Sequence, residues 1–144
     1  MELKTLKPFQ SVAEVVSFID DLGRSEHATP TLRQVLPPLA RVVWVSVPGN
    51  ERKLEFNHEL RNHADRTLEK IRVKLSADGA FELEWHLVRD GRMARLTIES
   101  EAGAPFSVQL LYSPDALAEI ANIVAWILAN RREAEPEAAL AAAG

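Results

Sequence analysis

The chain has 144 residues, of which 47% are hydrophobic and 26% are charged, and this composition is typical of one globular domain with its own core. Its net charge of −4 argues against nucleic acid as a partner, because phosphate binding needs a basic surface. It contains no cysteine, which excludes disulfides, thiol nucleophiles and thiolate metal sites. The first residues lack the apolar stretch of a signal peptide, and no segment approaches the ~20 apolar residues of a membrane span. We therefore expect a cytoplasmic protein that does not bind membranes.

The N-terminal segment predicts a short edge strand at residues 2–7 followed by a helix. Ser11 and Glu14 have the spacing of a capping box, in which each residue satisfies a free backbone N–H at the helix start. Gly23 stands where a glycine just past the helix end is expected. These signals predict a helix between Ser11 and Gly23.

A second helix is predicted to be short. Thr29 followed by Pro30 is typical of a helix start, because threonine accepts hydrogen bonds from the free N–H groups and proline suits the first helical position. Pro37 and Pro38 should end this helix, since proline has no N–H to donate and its ring clashes with the preceding turn.

After residue 41 the apolar residues alternate, which is typical of strands. We predict six strands that run antiparallel to their neighbours, because the links between them are short. The six segments are Val42–Val47, Arg52–Leu60, Leu68–Ser76, Ala80–Val88, Met93–Ser100 and Pro105–Tyr112. Asp90 and Gly91 form the clearest two-residue hairpin signal between them.

One face of this predicted sheet is apolar and the other is charged. On the charged face the second and fourth predicted strands are acidic, and the third and fifth are basic. The residues concerned are Glu55, Glu59, Lys70, Arg72, Lys74, Glu82, Glu84 and Arg95. Cross-strand ion pairs need this alternation of sign, so we predict that these four strands are sequential neighbours in the sheet.

Residues 113–132 predict a long helix that packs on the apolar face of the sheet. Ser113 is predicted to cap it, and Pro114 suits its first helical position. An apolar stripe follows the helical spacing and consists of Leu117, Ile120, Ala121, Val124 and Leu128, with Ile123 and Ile127 widening it on one side. Residues 133–144 are rich in alanine and glutamate, and we expect them to be frayed or disordered, which leaves 1–132 as the single domain.

The histidines do not predict a metal site. His58, Glu59 and His63 resemble the zinc-protease pattern H-E-x-x-H with one residue too many, and on a helix five residues would separate the two rings by about 140°. The sequence also lacks a recognisable nucleophile triad, phosphate loop or pair of catalytic acids. We predict no metal ion, no cofactor and no catalytic activity.

Four side chains are candidates for a ligand site on the apolar face. Strand parity places His58 beside Phe56, together with Trp85 and Tyr112. A buried histidine needs hydrogen-bond partners, so His58 is either a satisfied core residue or a polar group in a ligand cavity. In the second interpretation Trp85 and Tyr112 would add an indole N–H and a hydroxyl to that cavity.

Trp126 lies away from the main apolar stripe of the last helix. It is either covered by the N-terminal segment or the first helix, or offered to a partner, since tryptophan is enriched at interface hot spots. Ile123 and Ile127 extend the apolar surface of the same helix, which makes a homodimer or another protein contact a plausible use of this face.

The order of predicted elements is a strand, two shorter helices, six antiparallel strands and a long C-terminal helix. Over residues 2–132 this order resembles the helix-grip fold of the START/Bet v 1-like superfamily. The resemblance implies an α+β fold with a six-stranded antiparallel meander packed on the last helix, and a small hydrophobic molecule held between sheet and helix. We therefore predict a small, non-catalytic binding protein.

The alternative function is a dimeric protein-interaction module that uses the face around Trp126. A small acidic α+β domain with a wide apolar helix also resembles the secretion chaperones, which dimerise and bind extended segments of a partner. A small immunity or accessory protein that blocks a partner is a further alternative.

Overall fold

The computed structural model describes residues 2–46, 54–76, 79–103, 105–113 and 115–131. The described part is an α+β domain with a six-stranded antiparallel sheet and three helices, the last of which packs on the sheet. The predicted class, sheet type and position of the C-terminal helix are therefore confirmed. In chain order the elements are β1 (Glu2–Phe9), α1 (Val12–Arg24), α2 (Pro30–Ser46), β2 (Leu54–Arg61), β3 (Thr67–Leu75), β4 (Phe81–Arg89), β5 (Arg92–Ser100), β6 (Phe106–Ser113) and α3 (Ala118–Arg131).

The strands are arranged in the order β1-β6-β5-β4-β3-β2. Strands β2 to β6 form the predicted meander, but the predicted strand at Val42–Val47 is wrong, because residues 42–46 belong to α2 and residue 47 lies outside the described ranges. The sixth strand is instead β1, which pairs antiparallel with β6. Leu6 and Phe9 on β1 are fully buried, so this strand contributes to the core.

Helix α1 begins as predicted. Ser11 has an extended backbone, and its Oγ accepts a hydrogen bond from the Glu14 N–H at 3.2 Å. The Glu14 carboxylate in turn accepts one from the Gln10 N–H at 3.1 Å. The predicted role of Gly23 as the residue after the helix is wrong, because α1 continues to Arg24 and Gly23 is a buried contact with α2.

Helix α2 also begins as predicted, since Thr29 Oγ1 accepts a hydrogen bond at 3.2 Å from the backbone N–H three residues later. The predicted end at Pro37 and Pro38 is wrong, because both prolines lie inside a helix that continues to Ser46. Leu36 is fully buried and Pro37 is buried against α1, so packing between the helices offsets the hydrogen bonds that the prolines remove.

Helix α3 begins at Ala118, later than predicted. Ser113 is the last residue of β6 and does not cap the helix, while Pro114 lies outside the described residues, as does the predicted tail at 133–144. Asp115 and Ala116 adopt the left-handed conformation, with φ of 34° and 60°, and this turn separates strand from helix.

The buried side of α3 is also rotated from the predicted stripe. Ile120, Ile123 and Ile127 are 0% exposed, whereas Ala121 is exposed to solvent. The two isoleucines that were expected to flank the stripe are therefore at its centre. Among the described helices, none is both long enough and apolar enough to cross a bilayer.

The charged outer face pairs acids with bases between β2, β3 and β4, whereas between β4 and β5 Arg95 lies opposite His86 and Glu99 lies opposite Glu82. Glu55 lies opposite Lys74, and Arg72 lies opposite Glu84. One guanidinium nitrogen of Arg72 contacts Glu82 at 2.9 Å and Glu84 at 3.1 Å, so a single arginine on β3 bridges two acids on β4. The alternation of sign therefore identified strand neighbours correctly.

The β4–β5 hairpin is the two-residue turn that Asp90 and Gly91 predict. Both residues have positive φ, at 52° and 75°, and Arg89 pairs with Arg92 across the turn. This is the pattern of a type I′ turn, whose twist matches that of the flanking strands.

Candidate functional site

Two of the predicted ligand residues lie far apart on the same row of the sheet. His58, Ile71, Trp85, Leu96 and Tyr112 are successive cross-strand partners from β2 to β6. Four strand spacings of about 4.8 Å separate the two ends of this row by roughly 19 Å. His58 and Tyr112 therefore share a face, as strand parity predicts, but three strands lie between the strands that carry them.

Phe56 and His58 are both half-buried on β2, which is an edge strand of the sheet. Phe56 packs on the border of the core opposite Val73. Tyr112 is likewise half-buried at the other side of the sheet and packs against the core. These residues border the core and do not meet around a common cavity.

Trp85 at the centre of the row is 0% exposed, and its indole is already hydrogen-bonded. Its Nε1–H donates to Glu69 Oε2 at 2.7 Å. The adjacent Leu83, Leu87 and Leu96 are also 0% exposed, so the sheet beneath α3 is covered by packed side chains at this point. The indole N–H that was predicted to donate to a ligand therefore donates to a carboxylate inside the protein.

A buried polar cluster surrounds Glu69, which is 1% exposed. Thr29 Oγ1 donates to Glu69 Oε2 at 2.7 Å, alongside the Trp85 indole. Arg89 lies 4.0 Å from the other carboxylate oxygen, and its Nε lies 3.3 Å from Glu119 on α3. We call Glu69, Thr29, Trp85, Arg89 and Glu119 the Glu69 cluster. It connects the start of α2, two strands and α3, and its buried carboxylate has its donors within the chain.

Strand parity is the sequence signal that identifies Glu69 as a buried acid. Glu69 has the same strand parity as Ile71, Val73 and Leu75, so it is the one charged residue on the apolar side of β3. A carboxylate at such a position needs donors when it is buried, and that requirement predicts partners on neighbouring elements.

An open pocket of about 520 Å³ lies at one end of the sheet, where β2 and β4 begin and β3 and β5 end. We call it the sheet-end pocket. Its apolar lining consists of Leu54, Leu75, Ala80 and Phe81, and its polar lining consists of Glu55, Lys74, Ser76, Glu82, Glu99, Ser100 and Glu101. The four residues predicted to bind a ligand do not line it. No sequence pattern indicates this pocket, because it depends on where four strands start and stop.

Two polar groups of the sheet-end pocket have no partner in the described part of the chain. Glu99 lies directly opposite Glu82 on the neighbouring strand, and Arg72 contacts Glu82 but makes no contact with Glu99. Ser100 is 5% exposed, and its Oγ is buried without a hydrogen bond. The pocket therefore combines an apolar wall with an exposed carboxylate that forms no ion pair within the described residues, next to one buried hydroxyl without a hydrogen bond.

The predicted partner face is only partly at the surface. Ile123 and Ile127 are buried inside this chain, so their predicted place in an interface conflicts with their position in the core. Trp126 is half-buried and packs beside Phe18 of α1, with ring centroids 6.4 Å apart. It lines a groove of about 440 Å³ between α1 and α3. We call this the α1–α3 groove. Helix α1 therefore covers part of the Trp126 side chain.

The histidines lie on separate elements of the described chain. Burial lowers the pKa of His86 on the outer face of β4, and the positive charges of Arg95, Lys70 and Arg72 lower it further against the opposing effect of Glu84. His27 lies 3.5 Å from Glu26, and His63 is exposed in the β2–β3 turn. Within the described ranges, no three histidine, cysteine or acidic side chains are placed to hold a metal ion together.

No protein-family model, curated protein or solved structure matches this chain.

Proposed function

We propose that this protein is a small, non-catalytic binding protein and that it holds a largely apolar small molecule in the sheet-end pocket. The pocket itself is the observation that carries the proposal. Its volume of about 520 Å³ is within the range of roughly 300–1,000 Å³ that is usual for small-molecule sites. Four apolar residues form one wall of the pocket beside seven polar or charged ones, and small-molecule sites commonly combine an apolar wall with polar groups that orient the ligand.

The proposed location differs from the one that the resemblance to helix-grip proteins implies. That resemblance places the ligand between the sheet and the C-terminal helix, where Trp85 and Ile123 are completely buried in the core. The sheet-end pocket is open and is lined by the strand ends instead. We also propose that the fold is related to the helix-grip proteins. The β2–β6 meander with β1 beside β6 supports this relationship.

Filling the pocket tests the proposal. The neutral dye N-phenylnaphthylamine, which fluoresces more strongly in apolar surroundings, should bind the wild-type chain saturably with one site per chain. Ala80→Leu places a larger side chain in the pocket lining and should abolish saturable binding. The same substitution at Ala64, which is exposed in the β2–β3 turn, is the matched control and should leave binding unchanged.

Two results would reject this assignment. One is the absence of saturable dye binding to the folded wild-type chain. The other is equal dye affinity in the Ala80→Leu and Ala64→Leu variants, with circular dichroism confirming that both are folded.

A second candidate function is a homodimer through the α1–α3 groove, and the half-buried Trp126 favours it. Two acidic and two basic side chains line this groove, namely Glu14, Asp21, Arg24 and Arg131. A patch of balanced charge can face a copy of itself, as a two-fold interface requires. The occupant would therefore be a second copy of this chain.

Sedimentation equilibrium over a range of protein concentrations tests this candidate. We expect a dimer that Trp126→Ala dissociates, while Leu60→Ala, a substitution of an exposed leucine on β2, does not. A wild-type chain that stays monomeric at every concentration excludes the dimer.

A further inference from the structure

We propose that strand β2 pairs antiparallel with β2 of a second copy of this chain, so that two sheets join edge to edge around His58. This inference goes beyond the proposed ligand site and does not depend on it. It comes from the difference between the two edges of the sheet and from the self-complementary pattern of side chains along β2.

Strand β2 is a regular edge strand. In the described sheet its one neighbour is β3, and the pairing between them has no irregularity from Leu54 to Leu60. Every second residue of an edge strand directs its backbone N–H and C=O away from the sheet, where another strand can bind them. Proline, lysine and bulges commonly prevent such pairing, but β2 contains neither proline nor lysine, and its register with β3 shifts only at Arg61, its last residue.

The opposite edge, β1, has several of these protective features. Lys7 is exposed, Pro8 has no N–H to donate, and the register with β6 shifts between Leu6 and Phe9. Arg131 also donates to the backbone carbonyls of Lys7 at 2.9 Å and of Pro8 at 3.2 Å. The β1 edge is therefore blocked at one end, whereas β2 is regular along nearly all of its length.

The side chains of β2 complement those of an antiparallel copy. When His58 lies opposite His58 of the copy, Phe56 lies opposite Leu60 of the copy. In the same register Glu55 lies opposite Arg61, and both contacts occur twice because the axis is two-fold. Phe56 is half-buried and Leu60 is 41% exposed, so the pairing covers apolar surface at the border of the core. Apolar pairs and pairs of opposite charge across strands stabilise a sheet.

Other registers that keep both apolar faces on one side of the joined sheet fit less well. Centring the pair on Asn57 places Glu55 opposite Glu59, and centring it on Glu59 places this acid opposite itself, so like charges face each other. Centring it on Phe56 leaves Glu55 opposite Asn57 without an ion pair. Charge complementarity therefore selects the register around His58, and with it a second copy of this chain as the partner.

Arg61 can form the new ion pair without losing its contacts within the chain. Its guanidinium lies 3.0 Å from Glu59 and 3.1 Å from Asp65, and its side chain is 51% exposed. Glu55 is exposed on the same face of β2. Since a guanidinium has five N–H donors, it can bind one more carboxylate from the copy.

Single cysteines on β2 test the pairing directly, because the chain has no cysteine of its own. Directly opposite residues on antiparallel strands have Cα atoms about 4.5–5.5 Å apart, a separation that a disulfide spans. In a glutathione redox buffer we expect His58→Cys to form a disulfide-linked dimer about tenfold faster than His63→Cys, the matched control in the exposed β2–β3 turn.

Two further cysteine variants report the register. Phe56→Cys and Leu60→Cys should each cross-link slowly alone, since four residues, or about 13 Å along the strand, separate each cysteine from its own copy. When the two variants are mixed, they should cross-link rapidly with each other, because these positions are directly opposite in the proposed register. Circular dichroism confirms that each variant is folded.

Charge reversal tests the same register without a cross-link. Glu55→Arg places two arginines opposite each other and Arg61→Glu places two glutamates opposite each other, so each variant alone should dimerise about tenfold more weakly than the wild type. An equimolar mixture should recover the wild-type affinity, because every pair across the axis then has opposite charges. Sedimentation velocity measures these affinities, and Glu26→Arg, at a side chain that is 84% exposed between α1 and α2, is the control and should dimerise like the wild type.

The results distinguish this interface from the α1–α3 groove. For pairing through β2, Leu60→Ala should weaken the dimer about tenfold and Trp126→Ala should leave it unchanged, which is the reverse of the pattern expected for the groove. Folded His58→Cys and His63→Cys chains that cross-link equally slowly, or a charge-reversed mixture that stays monomeric, would show that β2 does not pair with its copy. A wild-type chain that is monomeric at every concentration also rejects the inference, whether or not the chain binds the dye.

Discussion

Gly23 on α1 and Pro37 on α2 are in such close contact that no side chain fits between them. A Cβ added to Gly23 would lie 2.6 Å from Pro37 Cδ and 2.7 Å from the Cβ of Leu36. Both of these distances are far below normal van der Waals contact. The glycine therefore provides the space into which the proline ring packs, and this contact sets how closely the two helices approach.

We expect Gly23→Ala to destabilise the protein. Alanine is a better helix former than glycine by roughly 0.5–1 kcal/mol, but overpacking a core contact costs roughly 1–3 kcal/mol. The expected net effect is a free energy of unfolding lower by about 1 kcal/mol, measured by urea denaturation. Ser17→Ala, at an exposed position of α1, is the control and should be neutral or slightly stabilising. A Gly23→Ala variant more stable than the wild type would contradict this packing.

The same contact explains two sequence-based errors. Gly23 was expected to end α1, and Pro37 with Pro38 was expected to end α2, because local rules assign those roles to glycine and proline. Neither rule contains the information that the two residues face each other across a helix pair. The longer α2 then includes residues 42–46, which had been assigned to a strand because their apolar residues alternate. Tertiary packing thus overrode local propensity in one connected region.

Glu69→Ala should be strongly destabilising. It removes two hydrogen bonds to a buried carboxylate and leaves the Trp85 indole N–H and the Thr29 hydroxyl without their acceptor. Bonds to a charged group contribute roughly 1.5–3 kcal/mol each, so we expect a loss of about 3 kcal/mol or more in the free energy of unfolding. Urea denaturation followed by circular dichroism measures it. Glu26→Ala should stay within about 0.5 kcal/mol of the wild type, because its side chain is 84% exposed.

If Glu69→Ala and Glu26→Ala were equally stable, the Glu69 cluster would not hold the layers of the fold together. Glu69→Gln gives a further check, since it keeps the size of the side chain and one oxygen for both donors but removes the negative charge that strengthens their hydrogen bonds. Its stability should fall between those of the wild type and Glu69→Ala.

Most of the sheet could be predicted from the sequence, because alternation of apolar residues and the signs of charged residues are local patterns. The faces of Phe56, His58, Trp85 and Tyr112 followed from parity in the same way. The pocket could not be predicted, since it depends on the relative ends of neighbouring strands. Parity also indicates which residues share a face without giving their distance, and that is why His58 and Tyr112 were grouped although the width of the sheet separates them.

Arg131 connects the end of α3 to the start of α1. Its guanidinium donates to Glu14 at 2.7 Å and to the backbone carbonyls of Lys7 and Pro8, and it stacks 4.3 Å from the centre of the Phe9 ring. Burial raises the pKa of Glu14, but hydrogen bonds from Arg131 and from the Gln10 N–H, together with the charge of Arg131, hold this pKa below its ordinary value of 4.5.

The ionised form of Glu14 therefore stabilises the fold. Because its pKa is lower in the folded state than in the unfolded state, this stabilisation is complete above about pH 4.5 and is lost as the pH falls through the folded-state pKa. Glu14→Gln should remove this part of the acid dependence, measured as the free energy of unfolding between about pH 2 and 7. In a double-mutant cycle with Arg131→Met, the two residues should show a coupling energy of about 1 kcal/mol. Purely additive effects would contradict the contact.

His86 predicts a second pH dependence at a higher pH. It is half-buried on the outer face of the sheet, where Lys70 and Arg95 are its direct partners on the two neighbouring strands. Burial is the largest cause of its lowered pKa, the charges of Arg95, Lys70 and Arg72 act in the same direction, and Glu84 opposes them. The folded protein therefore disfavours the protonated imidazole.

Since the folded-state pKa of His86 lies below its ordinary value of 6.5, the unfolded chain binds the proton more readily. The stability that the neutral ring provides is complete above about pH 6.5 and decreases as the pH falls through the folded-state pKa. His86→Gln should flatten the free energy of unfolding between about pH 7 and 5, whereas His63→Gln, at an exposed turn position, should keep the wild-type slope. A proton NMR titration of the imidazole gives the folded-state pKa directly. A value above 6.5, or an unchanged slope in His86→Gln, would show that burial and the neighbouring cations do not control this residue.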